Sequence, residues 1–296
     1  MNNSNEREIL DLFELIPDLI QLRGKTIVVK YGGNAMVDEN LQRKVVKDLV
    51  FLDLIGMKVI VVHGGGPAIS EHMERVGLKP EFIHGQRKTS HETLEVVEMV
   101  LCGKVNNQIV KLINREGARA VGLSGKDANL ITARKLMRDV LRNGMVDSID
   151  MGQVGEVERI DASVLKTLSN SGYIPVIAPI GISNENEDFN INADVLAADV
   201  AISTESDMIA YLTDVDGLLR DPDDPDSIIH FIDVPEAKAM VNNQIRGGMV
   251  PKVTSSIKAL DNGVQFGFIA NGTKDHSLLV SLLSPGEEGT MIRPGI

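Results

Sequence analysis

Three cations set beside glycines are the groups in this 296-residue chain with the clearest capacity for chemistry: Lys30, Arg87 and Lys252. Lys30 ends the run Thr26-Ile-Val-Val-Lys30, and Gly32 and Gly33 follow. A short β-branched run reads as a buried strand. Glycines lack Cβ, so backbone N–H groups there can come close to a ligand. Strand, lysine, glycine loop and helix together make a plausible phosphate cradle, although the same pieces serve equally as a tight turn with a solvated lysine. The unit recurs more strongly at Lys58-Val-Ile-Val-Val-His63, which runs into Gly64-Gly65-Gly66-Pro67 and a helical segment to about Val76. Lys252 follows Pro251, a residue suited to a first helical position. A cation near a helix N-terminus opposes the helix dipole, and an anionic ligand would repair the mismatch. Arg87, after Gly85-Gln86, can fork onto a carboxylate or simply face solvent. Asn190, Asn192 and Asp194 alternate where an extended segment enters a helix, a placement that suits caps as well as ligand contacts.

The elements that must position these groups follow from pattern. Two successive strand–glycine–helix units predict an α/β fold with a parallel sheet and ligands at the strand C-termini. Further strands are expected at 118–123, 173–178, 208–213, 265–270 and 290–292, and hairpins over 130–161. Helices are expected over 40–54, 235–241 and 276–283, over 90–115 with a break near Gly103, and from Lys252 to Ala259. Asp161 is expected to cap the helix that ends at Leu168. Residues 6–22 form an amphipathic helix, with Ile9, Leu12, Phe13, Ile16, Leu19 and Ile20 at helical spacing. Pro17 should kink or split it. It can pack on its own domain, the favoured reading, or on another subunit.

Composition narrows the function. A net charge of −12 argues against nonspecific nucleic-acid binding. No run approaches the length of a membrane span, and no secretory signal is visible. The lone Cys102 excludes an internal disulfide framework and fits the cytoplasm. Three tempting motifs fail. Ser124-Gly125-Lys126-Asp127 is not a P-loop, because Ala120 stands where the first glycine belongs and Asp127 replaces Ser/Thr. Asp214-Val-Asp-Gly217 misses the EF-hand spacing. His63-Gly-Gly-Gly66 resembles an esterase oxyanion hole, but Lys126 occupies the second glycine of Gly-x-Ser-x-Gly.

Taken in order, Lys30-Tyr-Gly-Gly-Asn, His63-Gly-Gly-Gly-Pro, Gly85-Gln-Arg87, Gly122-Leu-Ser-Gly-Lys-Asp, Asn190-Ile-Asn-Ala-Asp194, Thr213-Asp-Val-Asp-Gly217 and Gly247-Gly-Met-Val-Pro-Lys252 resemble the amino acid kinase family, in particular its members that phosphorylate N-acetyl-L-glutamate. The resemblance covers nearly all of the chain from about residue 24. It implies a three-layer α/β sandwich with a mainly parallel open sheet and two lobes. Residues 1–24 would be a helical extension, 25–205 the acyl-amino-acid-binding and dimerisation lobe, and 206–296 the nucleotide lobe. It implies ATP with Mg²⁺ carried on the nucleotide phosphates, and no protein-held metal. Lys30 and Lys252 would neutralise the transferred group while Asp194 holds both. Gly65, Gly66, Arg87, Asn190 and Asn192 would bind the acyl amino acid, with Arg87 on its α-carboxylate. Gly32, Gly33, Gly64, Asp214 and Gly217 would meet the nucleotide. The resemblance further implies a homohexamer, a trimer of dimers interlaced by the N-terminal helix, and L-arginine as feedback inhibitor. Departures from that regulatory pattern stand at Asp18, at Ser281 and at Glu287-Glu288-Gly289; His276 and Gly289-Thr290 match it. A sibling kinase acting on a free amino acid, and a non-catalytic amino-acid sensor on the same fold, are the rival readings.

Overall fold

Strands that are apolar at nearly every position need cover on both faces, and the chain provides it. The computed structural model describes residues 3–295 except 37, 84, 143–144 and 222. In order, these form α1 (Asn3–Leu22), β1 (Thr26–Tyr31), α2 (Glu39–Leu54), β2 (Lys58–His63), α3 (Gly66–Arg75), the short hairpin β3 (Phe82–Ile83) and β4 (Gln86–Arg87), α4 (His91–Glu98), a π-helical segment (Met99–Asn106) and α5 (Asn107–Arg115). Next come β5 (Ala120–Ser124), β6 (Ile131–Arg142), β7 (Met145–Ile160), α6 (Ser163–Asn170), β8 (Ile174–Ala178), β9 (Ile180–Ile182), β10 (Asp188–Ile191) and α7 (Ala193–Ser203). The remainder is β11 (Met208–Thr213), β12 (Leu218–Leu219), β13 (Ile228–Ile229), β14 (Phe231–Asp233), α8 (Val234–Asn243), α9 (Met249–Asp261), β15 (Phe266–Asn271), α10 (Ser277–Leu283) and β16 (Thr290–Arg293).

One eight-stranded sheet runs in the order β14-β16-β15-β11-β1-β2-β8-β5. Only the β15–β16 pairing is antiparallel, so the expected mainly parallel α/β sandwich is what forms. Alternate residues of the central strands enter two separate cores. Ile27, Val29, Val59 and Val61 pack with α2, α3, α5 and α10, whereas Val28, Ile60 and Val62 pack with α6, α7 and α9. Beside this sheet, β10-β7-β6-β9 close into a second four-stranded sheet. Its β6–β7 hairpin is the one expected within 130–161 and carries register shifts near Thr132 and Lys135.

Several local expectations change. The helix before the first strand is one element despite Pro17. Its Phe13, Ile16 and Ile20 side chains are exposed rather than packed on their own domain, although Leu22 is buried. No break occurs at Gly103: the chain stays helical and absorbs the glycine in the π-helical segment between α4 and α5. α9 begins at Met249, so Pro251 lies within the first turn rather than opening it. Asp161 does accept a hydrogen bond, 3.0 Å from the Ser163 N–H, at the start of α6, and Ser90 caps α4 through the Thr93 N–H.

Candidate active site

The C-terminal ends of β1, β2, β11 and β15 stand side by side, with Lys30 opposite Tyr211, Tyr31 opposite His63 and Thr213 opposite Asn271. The loops that leave these ends carry most of the residues singled out from the sequence, as a parallel sheet requires. Lys30 shares the face of Val28, which looks toward α7 and α9. Asp194 lies in the first turn of α7, where the helix dipole favours a carboxylate. Asn192 caps that helix, its Oδ1 accepting from the N–H groups of Asp194 (2.8 Å) and Val195 (3.3 Å).

Lys30 Nζ is 3.0 Å from Asp194 Oδ1, and Lys252 Nζ donates to Oδ2 at 3.1 Å. The Lys30 contact is an ion pair without hydrogen-bond geometry, since Oδ1 is buried and accepts no hydrogen bond. The three side chains are 10%, 9% and 12% exposed (Lys30, Asp194, Lys252), so their charges interact with little solvent screening. Burial alone would raise the Asp194 carboxyl, but the two ammonium groups outweigh it and hold the carboxyl below its ordinary range. Burial lowers Lys252 below the usual lysine range, aided by Lys30 and opposed by Asp194 and Asp214. Two cations thus flank the Asp194 carboxylate, which with Lys252 lies in the first turns of two helices. Tyr211, fully buried beneath, donates to the Asp194 carbonyl at 3.2 Å and ties α7 to β11.

A cleft of about 200 Å³ adjoins this cluster. Gly64, Gly65, Gly66, Arg87, Asn190 and Asn192 line it, together with Phe82, Gln86 and Leu101. Arg87 is buried and lies over the Phe82 ring at 4.7 Å. Its guanidinium donates to Ser70 Oγ at 2.8 Å and to the Gly66 carbonyl at 3.2 Å. Among the described residues it has no carboxylate partner, and burial lowers its pKa. A desolvated guanidinium without an acid suits an incoming anion. Asn190 Nδ2 is 3.3 Å from Thr89 Oγ1, which fixes the amide at the opposite wall.

The glycine loops meet across the strand ends. Gly64 donates to the Tyr31 carbonyl at 2.8 Å, so this N–H is already engaged, while Gly65 and Gly66 open α3. Lys30 folds over Gly32, where an added Cβ would lie 2.7 Å from its Nζ. Gly33 has φ +72°, a conformation that favours glycine. Gly217 sits against Thr290, whose Oγ1 also accepts the Leu218 N–H at 2.8 Å. Asp216, not singled out from the sequence, takes the Asn271 amide at 2.6 Å and the Lys274 ammonium at 2.9 Å. Among the described residues no three His, Cys, Asp or Glu side chains gather as a metal site.

Residues 25–271 match the sequence pattern of the amino acid kinase family. The chain belongs to the amino acid kinase family. A relative named acetylglutamate kinase, from Moorella thermoacetica, is 45% identical over 96% of this chain and 96% of its own length. The family fold extends to an N-acetylglutamate synthase from Neisseria gonorrhoeae, complexed with coenzyme A and N-acetyl-glutamate. That structure superposes with TM-score 0.83 at 25% identity over 97% of this chain, which spans 64% of the synthase chain. Carbamate kinase from Giardia lamblia bound to AMP-PNP shares the fold, with TM-score 0.65 and 20% identity over 92% of this chain and 99% of that one. At this candidate site, Thr89 and Tyr211 carry no sequence signal of a site role, and Gln86 stands only inside the Gly85-Gln-Arg87 motif. Each is a polar residue on an element that reads as structural, and only tertiary placement gives it a partner.

Proposed function

We propose that this chain transfers the γ-phosphoryl group of ATP to the side-chain carboxylate of N-acetyl-L-glutamate, giving N-acetyl-L-glutamyl 5-phosphate in arginine biosynthesis. The near full-length relatives named acetylglutamate kinase support the activity. The observation that carries the mechanism is the Lys30–Asp194–Lys252 cluster at the rim of the Arg87 cleft. A carboxylate is already an anion at neutral pH, so the reaction requires no general base. The difficulty is bringing two anions together, which positioning and charge must solve.

Each residue then has a role. Arg87 takes the α-carboxylate of the acyl amino acid, and Asn190 and Asn192 take its acylamide side. Lys30 and Lys252 neutralise the migrating group from either side, and Asp194 keeps the two ammonium groups from drifting apart. The N–H groups of Gly65 and Gly66 face phosphoryl or carboxylate oxygens. Gly32, Gly33, Asp214 and Gly217 border the nucleotide, and Gly64 supports the loop. These donors and cations fit a polyphosphate; Mg²⁺ bound to it would screen the phosphate oxygens. A coupled assay comparing N-acetyl-L-glutamate with glutamate and aspartate tests the assignment. Faster turnover on either free amino acid would refute it.

The finer organisation belongs to the same proposal. Residues 25–205 form the substrate and dimerisation lobe, 206–296 the nucleotide lobe, and 1–24 the extension. The outward Phe13, Ile16 and Ile20 support docking of α1 on a neighbouring dimer to build a homohexamer. L-Arginine is the proposed feedback inhibitor and the cytoplasm the proposed location. Among the described residues no helix is long and apolar enough to cross a membrane.

A further inference from the structure

His63 and Asn106 play no part in the chemistry above, yet both are buried beneath the triple-glycine loop. His63 ends β2 in the row of Val59 and Val61, and its partner across the sheet is Tyr31. It therefore points to the opposite face of the sheet from Lys30, away from Asp194. There its Nδ1 lies 2.8 Å from the Gly64 carbonyl and its Nε2 lies 3.1 Å from Asn106 Nδ2.

The proton positions follow from the partners. Asn106 Nδ2 is also 2.8 Å from the Val176 carbonyl. A carbonyl oxygen only accepts, so the amide nitrogen of Asn106 must face it. The same nitrogen lies 3.5 Å from the Leu123 carbonyl, farther than His63 Nε2. A proton on Nε2 would face an amide N–H and set a bare Nδ1 against the Gly64 carbonyl, so Nε2 is the acceptor. The imidazole is thus neutral with its proton on Nδ1, and donates it to the Gly64 carbonyl. Burial pushes its pKa down to about 4, consistent with a neutral ring.

The Gly64 carbonyl belongs to one planar trans peptide unit with the Gly65 N–H, and the two point in opposite directions. Drawing the carbonyl onto His63 turns the Gly65 N–H away from the imidazole, and Gly65 is one of the residues that line the cleft holding Arg87. A peptide between two glycines has little steric resistance to rotation, so something must hold it. Resting on the kinase reading, we propose that Asn106 and His63 are positioning residues that fix one imidazole tautomer and so present the Gly65 N–H to the reacting oxygens. The π-helical segment is the supporting device. It brings Leu101 to within 2.5 Å of where a Gly65 Cβ would stand, and Asn106 to His63, from a single stretch of helix. Local π-geometry of this kind often marks functional sites.

The test combines tautomer and kinetics. ¹⁵N NMR of the imidazole in the full-length protein should show only the Nδ1–H form, and Asn106→Leu should populate the other tautomer. With N-acetyl-L-glutamate and MgATP, Asn106→Leu and His63→Leu should lower kcat by about 100-fold with little change in KM. His63→Asn, whose amide N–H can stand near the Nδ1 position, should recover at least about tenfold over His63→Leu. An Nε2–H imidazole in the wild-type protein would overturn the proposal whatever the activity. So would an Asn106→Leu variant with unchanged kcat, or a His63→Asn variant no better than His63→Leu. If the leucine variants fail to fold, the wild-type tautomer still decides. A wild-type protein with the Nδ1–H tautomer but no turnover of N-acetyl-L-glutamate would refute the kinase reading and leave the hydrogen-bonded pair standing.

Discussion

Lys252 Nζ donates to Asp194 Oδ2 at 3.1 Å, a contact across 58 positions of sequence that joins the first turns of two helices, α7 and α9. Each helix N-terminus carries partial positive charge. Together with Lys30, they surround the Asp194 carboxylate with positive charge, and Asp214 adds a second carboxylate near Lys252. The two ammonium groups are what a polyphosphate and an acyl phosphate would use.

Removing the Asp194 carboxylate should therefore leave two buried ammonium groups without their shared counter-ion. Asp194→Asn is expected to lower stability by about 3–5 kcal/mol, as breaking a buried ion pair does, measured by urea unfolding at pH 7. The carboxyl is depressed in the folded state, so the unfolded chain binds its proton more readily. Its contribution is complete above the unfolded value of about 3.9 and is lost as pH falls through the folded value. The acid limb of the wild-type stability profile should accordingly be steeper than that of Asp194→Asn.

Arg87 should control affinity for the acyl amino acid rather than the chemical step. Arg87→Ala is expected to raise KM for N-acetyl-L-glutamate by about 10- to 100-fold, with KM for ATP unchanged. Arg87→Lys should not restore it, because a point charge replaces a fork that spans Ser70, Gly66 and a carboxylate. Steady-state kinetics with each substrate varied in turn would show the split.

Gly65 is required for steric reasons. Its φ of 167° is extended backbone open to any residue, but a Cβ would stand 2.5 Å from Leu101 Cδ2. Gly65→Ala should displace the loop and reduce kcat by roughly 10²-fold or more, the loss typical of a removed oxyanion donor. Adding Leu101→Ala should return part of the activity by making room. A double variant no better than Gly65→Ala would mean that the clash is not the cause.

The pH dependence of kcat should be flat through neutrality. The substrate carboxylate titrates near 4, His63 near 4 and Asp194 lower still. Burial lowers Lys252, so the alkaline fall should begin below the ordinary lysine value of about 10.4. An acid limb centred near pH 6.5, the normal histidine value, would point to a base that this account does not contain.

The sheet was legible because its strands are short apolar runs ended by glycines, a pattern set by local covalent geometry. Lys30, Gly65 and Gly66 could be named for the same reason. What local pattern could not supply was the meeting of Lys30 and Lys252 at Asp194, which depends on two helices packing on one face of the sheet. β9 and β10 were not separated as strands, since three or four residues with polar neighbours carry little periodicity. Gly103 read as a helix break because glycine is a poor helix former, whereas packing of Leu101 and Asn106 against the glycine loop keeps the helix whole. His63 ends an apolar strand, and nothing in the local pattern gives it a partner. The alternation Val59, Val61, His63 puts these three on one face of β2, but its face relative to Lys30 depends on the strand register, and its hold on Gly64 needed coordinates.

The most direct measurement is single-turnover formation of the acyl phosphate from ATP and N-acetyl-L-glutamate, trapped as the hydroxamate, for wild type, Lys30→Ala and Lys252→Ala. The account predicts that each alanine variant binds N-acetyl-L-glutamate within about threefold of wild type but forms product at least about a thousandfold more slowly. Product formation by either variant within about tenfold of wild type would contradict it.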